Sequence, residues 1–110
     1  MLPKHRRLSA LEVRRVLAEG RSARSTHLSM KYVANKGGFR VAVVAPKSLA
    51  RKATERNRLR RGFYGALTTL PGQLALSGMA VFFIKSIPKG PLVSSLREDL
   101  SSLVSKISHV

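Results

Sequence analysis

The sequence predicts an α/β sandwich, a small central sheet with helices in the order α-β-β-α-β-α. Three stretches repeat their apolar residues at helical spacing, and three short apolar or alternating stretches between them read as strands. The chain has 110 residues, 44% of them hydrophobic, enough for one packed domain over 1–110 rather than a disordered basic tail. No internal repeat, linker or low-complexity segment divides it.

The first helix is expected over 10–19. Ser9-Ala10-Leu11-Glu12 has the form of a capping box, with Leu8 and Val13 at the positions of a hydrophobic staple. Val13, Val16 and Leu17 then share one face, and Gly20 fits a left-handed C-terminal stop. Strands are expected at 28–34 and 39–45, joined as a hairpin through Asn35-Lys36-Gly37-Gly38, with Pro46 ending the second. A second helix at 54–69 carries Leu59, Phe63, Ala66, Leu67 and Leu70 on one stripe and is closed by Pro71-Gly72. Its glycines, Gly62 and Gly65, should each cost roughly 1 kcal/mol against alanine. The nearly continuous apolar run 79–87 reads as a central strand covered on both faces. A last helix at 94–107 turns Leu96, Leu100, Leu103, Val104 and Ile107 inward, with Ser95 and Glu98 as a candidate capping box.

Charge narrows the function. Twenty-one Lys and Arg face five Asp and Glu, a formal net charge of +16. Seventeen of the basic and three of the acidic residues lie in the first 61 positions, a local surplus of 14. Such a chain repels itself until a polyanion neutralises it, and nucleic acid does so by releasing counterions. An anionic membrane is the weaker partner, because the apolar helix faces are needed for the core and the run from Met79 to Ile84 is far too short to span a bilayer. Without cysteine there is no disulfide or thiolate metal site. No apolar segment follows the basic start Met1-Leu2-Pro3-Lys4-His5-Arg6-Arg7, so no signal peptide is read and a cytoplasmic location is expected.

The most informative segment is 47–61, in which seven of fifteen residues are basic and only Glu55 is acidic. On a helical wheel Arg56, Asn57, Arg60, Arg61 and Tyr64 lie away from the Leu59/Phe63 stripe. Like charges at this spacing repel, so a purely structural role explains them poorly. Arginine forks match phosphate oxygens, Asn57 can read a base edge or a 2′-hydroxyl, and Tyr64 offers a ring for stacking.

The run Arg56-Asn57-Arg58-Leu59-Arg60-Arg61, preceded by Lys52-Ala53, resembles the Arg-Asn-Arg signature of the ribonuclease P protein family. Arg7-Leu8, Gly20, Val41 to Val44 and the strand at 80–84 also stand where that family has counterparts. The resemblance implies a protein subunit that binds a catalytic RNA and assists Mg²⁺-dependent removal of the 5′ leader from precursor tRNA. It implies that Arg56, Asn57, Arg58, Arg60 and Arg61 contact the catalytic RNA, that Lys47, Arg51 and Lys52 form a basic loop beside them, and that the first helix and the sheet form a leader cleft. Val13, Leu17, Lys31 and Lys47 are the residues expected in that cleft, with either Lys31 or Tyr32 turned to it. An unusual left-handed βαβ crossover is implied as well. Val13 and Leu17 stand where the family often has Phe, and Tyr64 and Gly65 replace its usual Arg and acidic residue.

No active site is legible in the polypeptide itself. Glu12, Glu19, Glu55, Glu98 and Asp99 are the only carboxylates, and they do not form the converging set that a two-metal nuclease needs. His5, His27 and His109 are widely spaced and read as surface residues. No catalytic or metal-ligating residue is therefore assigned, Mg²⁺ is expected to be held mainly by the RNA and substrate, and no obligate protein partner is expected. The rival from another class is a ribosomal protein, equally small and basic; the motif helix with its preceding basic loop favours ribonuclease P.

Overall fold

The computed structural model describes residues 7–69 and 77–108, with the backbone alone at 35–38 and at 107–108. Its elements are α1 (Ala10–Glu19), β1 (Arg21–Arg24), β2 (Leu28–Gly38), β3 (Arg40–Val44), α2 (Ala53–Thr68), β4 (Ser77–Ile84) and α3 (Leu92–Ser108). The α+β class and the order of helices stand, with one strand more than the sequence suggests.

Local signals place α1 where they should. The Ser9 hydroxyl accepts from the Glu12 amide at 3.2 Å, and Glu12 accepts from the Ser9 amide at 3.0 Å. Leu8 and Val13 close the staple against a small cluster built on Val16, Met79 and Val81. Gly20 ends the helix in extended conformation, φ −70°, not in the expected left-handed one. Its missing side chain serves close approach instead. A Cβ there would press on the Val16 carbonyl oxygen and lie 3.1 Å from the Tyr32 amide nitrogen.

The sheet corrects the expected hairpin. Its order is β1-β2-β4-β3, so β4 lies between β2 and β3, which do not pair with each other. β2 runs antiparallel to β4, with Leu28 opposite Ile84, and β3 runs parallel to it, with Arg40 opposite Met79. The physical reason is burial: β4 is the most apolar strand, and a central place covers both its faces. The Asn35-Lys36-Gly37-Gly38 segment prolongs β2 rather than turning the chain back. β1, with the sequence Arg-Ser-Ala-Arg, is an edge strand paired with β2 alone. β3, α2 and β4 form the parallel crossover unit.

The faces of β4 define two cores. Ala80, Phe82 and Ile84 join Leu59, Phe63, Ala66 and Leu67 of α2 and Leu96, Leu100 and Leu103 of α3. The Phe63 and Phe82 ring centroids are 5.0 Å apart. Met79 and Val81 point the other way, beneath α1. Val104 is half-buried against the main core, whereas Leu70, Pro71-Gly72 and the Ile107 side chain lie outside the described residues. α3 begins at Leu92, and the Pro91 carbonyl accepts from the Ser95 amide at 3.0 Å. Ser95 is thus inside the helix and caps nothing, contrary to the sequence reading.

One carboxylate is buried among the described residues. Asp99 of α3 accepts from Ser25 Oγ at 3.1 Å and from the His27 amide at 2.6 Å, and His27 Nδ1 stands 3.3 Å away. These bonds pin the β1–β2 turn to α3. His27 is therefore not the plain surface residue its sequence context suggests.

Candidate nucleic-acid interface

The basic segment begins as a loop anchored from below. Its backbone turns at Pro46, whose carbonyl accepts from the Leu49 and Ala50 amides, and Ala50 is buried while Leu49 packs on the core. Lys47, Arg51 and Lys52 are left exposed. Arg56 reaches back to this loop: its Nη1 donates to the Ala50 carbonyl at 3.0 Å and to the Arg51 carbonyl at 2.8 Å. Its guanidinium is thus a clamp on the loop, and Arg56 is half-buried rather than presented on the open face of the wheel.

The remaining motif residues divide between two flanks of α2. Asn57, Arg60, Arg61 and Tyr64 line a concavity of about 540 Å³ together with Arg7 from the N-terminal segment. Arg60 donates to the Asn57 side-chain carbonyl. Tyr64 meets Phe63 edge-on, with centroids 5.5 Å apart at 76°. Burial raises the pKa of its hydroxyl, against opposing pulls from the Val43 backbone, Arg7 and Arg60. Arg58 faces a second concavity of about 560 Å³, lined also by Arg51, Lys52 and Glu55 at the start of α2. Among the described residues, Lys47, Arg51, Lys52, Arg58 and Arg61 meet no carboxylate within ion-pair distance.

Residues 2–108 match the Ribonuclease P family. The chain belongs to that family. This membership makes it a protein subunit of an endoribonuclease of tRNA processing, in partnership with ribonuclease P RNA. A likeness to solved structures accompanies it. The Staphylococcus aureus RNase P protein, solved at 2.0 Å, superposes with a TM-score of 0.76 at 16% identity, covering 94% of this chain and 96% of that one. A mutant of the S. aureus protein, described as having defective mRNA degradation activity, gives 0.80 at 16% identity, over 96% and 90% of the two chains. At that identity the two structures show a shared fold. The curated proteins contain no match.

In this ribonuclease P protein α1 crosses one face of the sheet. It enters above β3, where Glu12 pairs with Arg40, and leaves above β2, where Lys31 Nζ donates to the Leu17 carbonyl at 3.1 Å. Strand register puts Lys31 on the α1 face and Tyr32 on the other, its hydroxyl donating to the Ser77 carbonyl at 2.7 Å. Val13 is half-buried in the staple, and Leu17 remains 37% exposed. Lys47 follows the far end of β3, beyond Val44, and is exposed. Between them lies sheet that α1 covers only partly: Phe83 is half-buried and Val44 is 37% exposed on this face. Two residues of interest escape the sequence reading. Arg7 joins the α2 concavity only through the fold, and Phe83 sits in a continuous apolar run whose two faces look alike. The alternation Met79, Val81, Phe83 is the one signal that could have pointed to it. Among the described residues no three of His, Asp and Glu come together, and no helix is long and apolar enough to cross a membrane.

Proposed function

We propose that this subunit is a non-catalytic RNA-binding protein that holds the catalytic RNA with α2 and its preceding loop and the precursor-tRNA leader on the α1 face of the sheet. The observation carrying this reading is the set of exposed cations Lys47, Arg51, Lys52, Arg58 and Arg61, which among the described residues meet no carboxylate and are open as partners for phosphate. Asn57 and Tyr64 beside them add a hydrogen-bonding amide and an aromatic wall. Along the leader path, Lys31 and Lys47 supply charge at either end, and Val13, Leu17 and Phe83 supply apolar surface.

The donor set does not fit a protein-held Mg²⁺, because the described carboxylates are scattered: Glu12 caps α1, Asp99 is tied to a turn, and Glu55 and Glu98 lie on different helices. The metal and the bond-breaking step are therefore assigned to the RNA and substrate. The protein's part is to screen phosphate repulsion between two RNAs and to fix the leader, which lowers the Mg²⁺ needed for assembly. The deciding experiment mixes purified protein, a bacterial ribonuclease P RNA and precursor tRNA at low Mg²⁺. Leader cleavage should rise sharply on adding protein, and an unchanged rate would refute the reading. The protein without RNA should leave precursor tRNA and messenger RNA intact; cleavage surviving contaminant controls would place chemistry in the polypeptide.

A further inference from the structure

Two glycines in the middle of α2 have opposite explanations. A Cβ on Gly62 would lie 2.5 Å from Leu92 Cδ2 and 2.9 Å from its Cγ, so close packing on α3 accounts for that residue. A Cβ on Gly65 would meet nothing nearer than Val93 Cγ2 at 3.9 Å, so packing does not account for it, and a mid-helix glycine is destabilising. Gly65 instead lines the concavity of about 540 Å³, next to Tyr64 and one turn beyond Arg61. That volume falls within the roughly 300–1,000 Å³ range of small-ligand sites. Tyr64 forms a fixed wall, held edge-on against Phe63 and by its hydroxyl near the Val43 backbone. Arg60 and Arg61 bring charge to the rim, and Asn57 offers its amide group.

We infer that this concavity receives one unpaired nucleotide of the RNA partner, with its base against the Tyr64 ring and its phosphate at Arg60 and Arg61. The inference rests on the proposed RNA-binding role of α2 and specifies what that face binds. A paired helix offers a ridge of phosphates, which exposed cations such as Arg58 suit without any hollow. An extruded nucleotide needs depth, an aromatic wall and a nearby cation, and the Gly65 side of α2 has all three. The absent side chain at Gly65 keeps the depth.

The test compares Gly65→Leu, Gly65→Ala and Arg61→Ala for affinity to a bacterial ribonuclease P RNA at fixed salt. Both Gly65 variants should melt no lower than the natural chain. Gly65→Leu should bind the RNA about tenfold more weakly, Gly65→Ala only slightly so. If Gly65→Leu binds normally while Arg61→Ala binds weakly, α2 is an RNA surface but the nucleotide pocket is refuted. If both bind normally, the RNA-binding reading of α2 falls with it. A second arm requires no variant: AMP, ribose 5-phosphate and inorganic phosphate are titrated into the natural protein and followed by NMR. AMP should move the Tyr64 ring resonances upfield through ring current, and the two base-free anions should not. Equal shifts from all three would reduce the concavity to a cationic patch and overturn the proposal.

Discussion

Arg56 and Arg61 lie little more than one turn apart in α2 and do different work. Arg56 holds two loop carbonyls, whereas Arg61 faces outward. Read from the sequence as a phosphate contact, Arg56 should be removable without harm to the fold. The structure reverses that expectation. Charge-assisted bonds of this kind contribute about 1.5–3 kcal/mol when fully formed, and partial exposure brings the figure toward the lower end. Arg56→Ala should therefore lower the melting temperature and speed proteolysis of the 47–52 loop. Arg61→Ala should leave the melt unchanged and reduce the log–log salt slope of RNA binding by about 0.7–0.9. An equal melt for both variants would show that the clamp has no energetic weight. Phe63, fully buried against Phe82, marks the opposite extreme. Phe63→Ala should destabilise the fold by about 3–5 kcal/mol in denaturant titration.

At the scale of elements, α1 shows how a local signal becomes a pH dependence. The backbone hydrogen bond at Ser9 holds the Glu12 carboxyl below the usual glutamate range, and Arg40 adds to the effect against an opposing contribution from burial. The folded state thus binds this proton more weakly than the unfolded chain. The stabilisation is fully present above the ordinary glutamate range and is lost as pH falls from there through the lowered folded value. Glu12→Gln should lower the melting temperature at neutral pH, and its gap from the natural chain should close on acidification. A gap independent of pH would mean that the capping box acts only through its shape. Elements of this local kind were legible: α1 from Ser9, Leu8 and Glu12, and the buried stripe of α2 from Leu59, Phe63, Ala66 and Leu67. The hairpin was misread because the true partner of β2 is β4, and Tyr32 opposite Ala80 is a pairing no turn residue announces. β1 escaped because an edge strand with a single apolar residue has almost no pattern. The interface was legible as a list of cations but not as two concavities. The one beside Tyr64 depends on Arg7 arriving from the N-terminal segment, which runs beside β3 with the Leu8 amide donating to the Val41 carbonyl at 3.3 Å.

Across the whole molecule, the +16 charge provides attraction to any RNA, so discrimination has to come from surface that charge alone does not define. The α1 face of the sheet is the place to look. The family resemblance puts Val13 and Leu17 in the cleft where the family often has Phe, and aliphatic side chains stack on bases less well than an aromatic ring. The fold adds Phe83, half-buried on the same face and packed against the cluster of Val16, Met79 and Val81. It also commits Val13 to the staple, where a larger side chain would overpack. Leu17, more exposed, remains the residue at which the cleft can be altered from the helix side. Base stacking on an aromatic contributes about 1–3 kcal/mol. Phe83→Leu should therefore reduce the preference for precursor over mature tRNA by up to that amount, with little effect on binding of the mature form, which has no leader. Leu17→Phe should increase the same preference. Both are measured in the holoenzyme at one fixed salt concentration, since bare affinities drift with ionic strength. If Phe83→Leu folds and weakens both tRNAs equally, the ring supports the sheet and does not touch the leader. If Phe83→Leu folds and leaves both affinities unchanged, the leader does not run over this face at all.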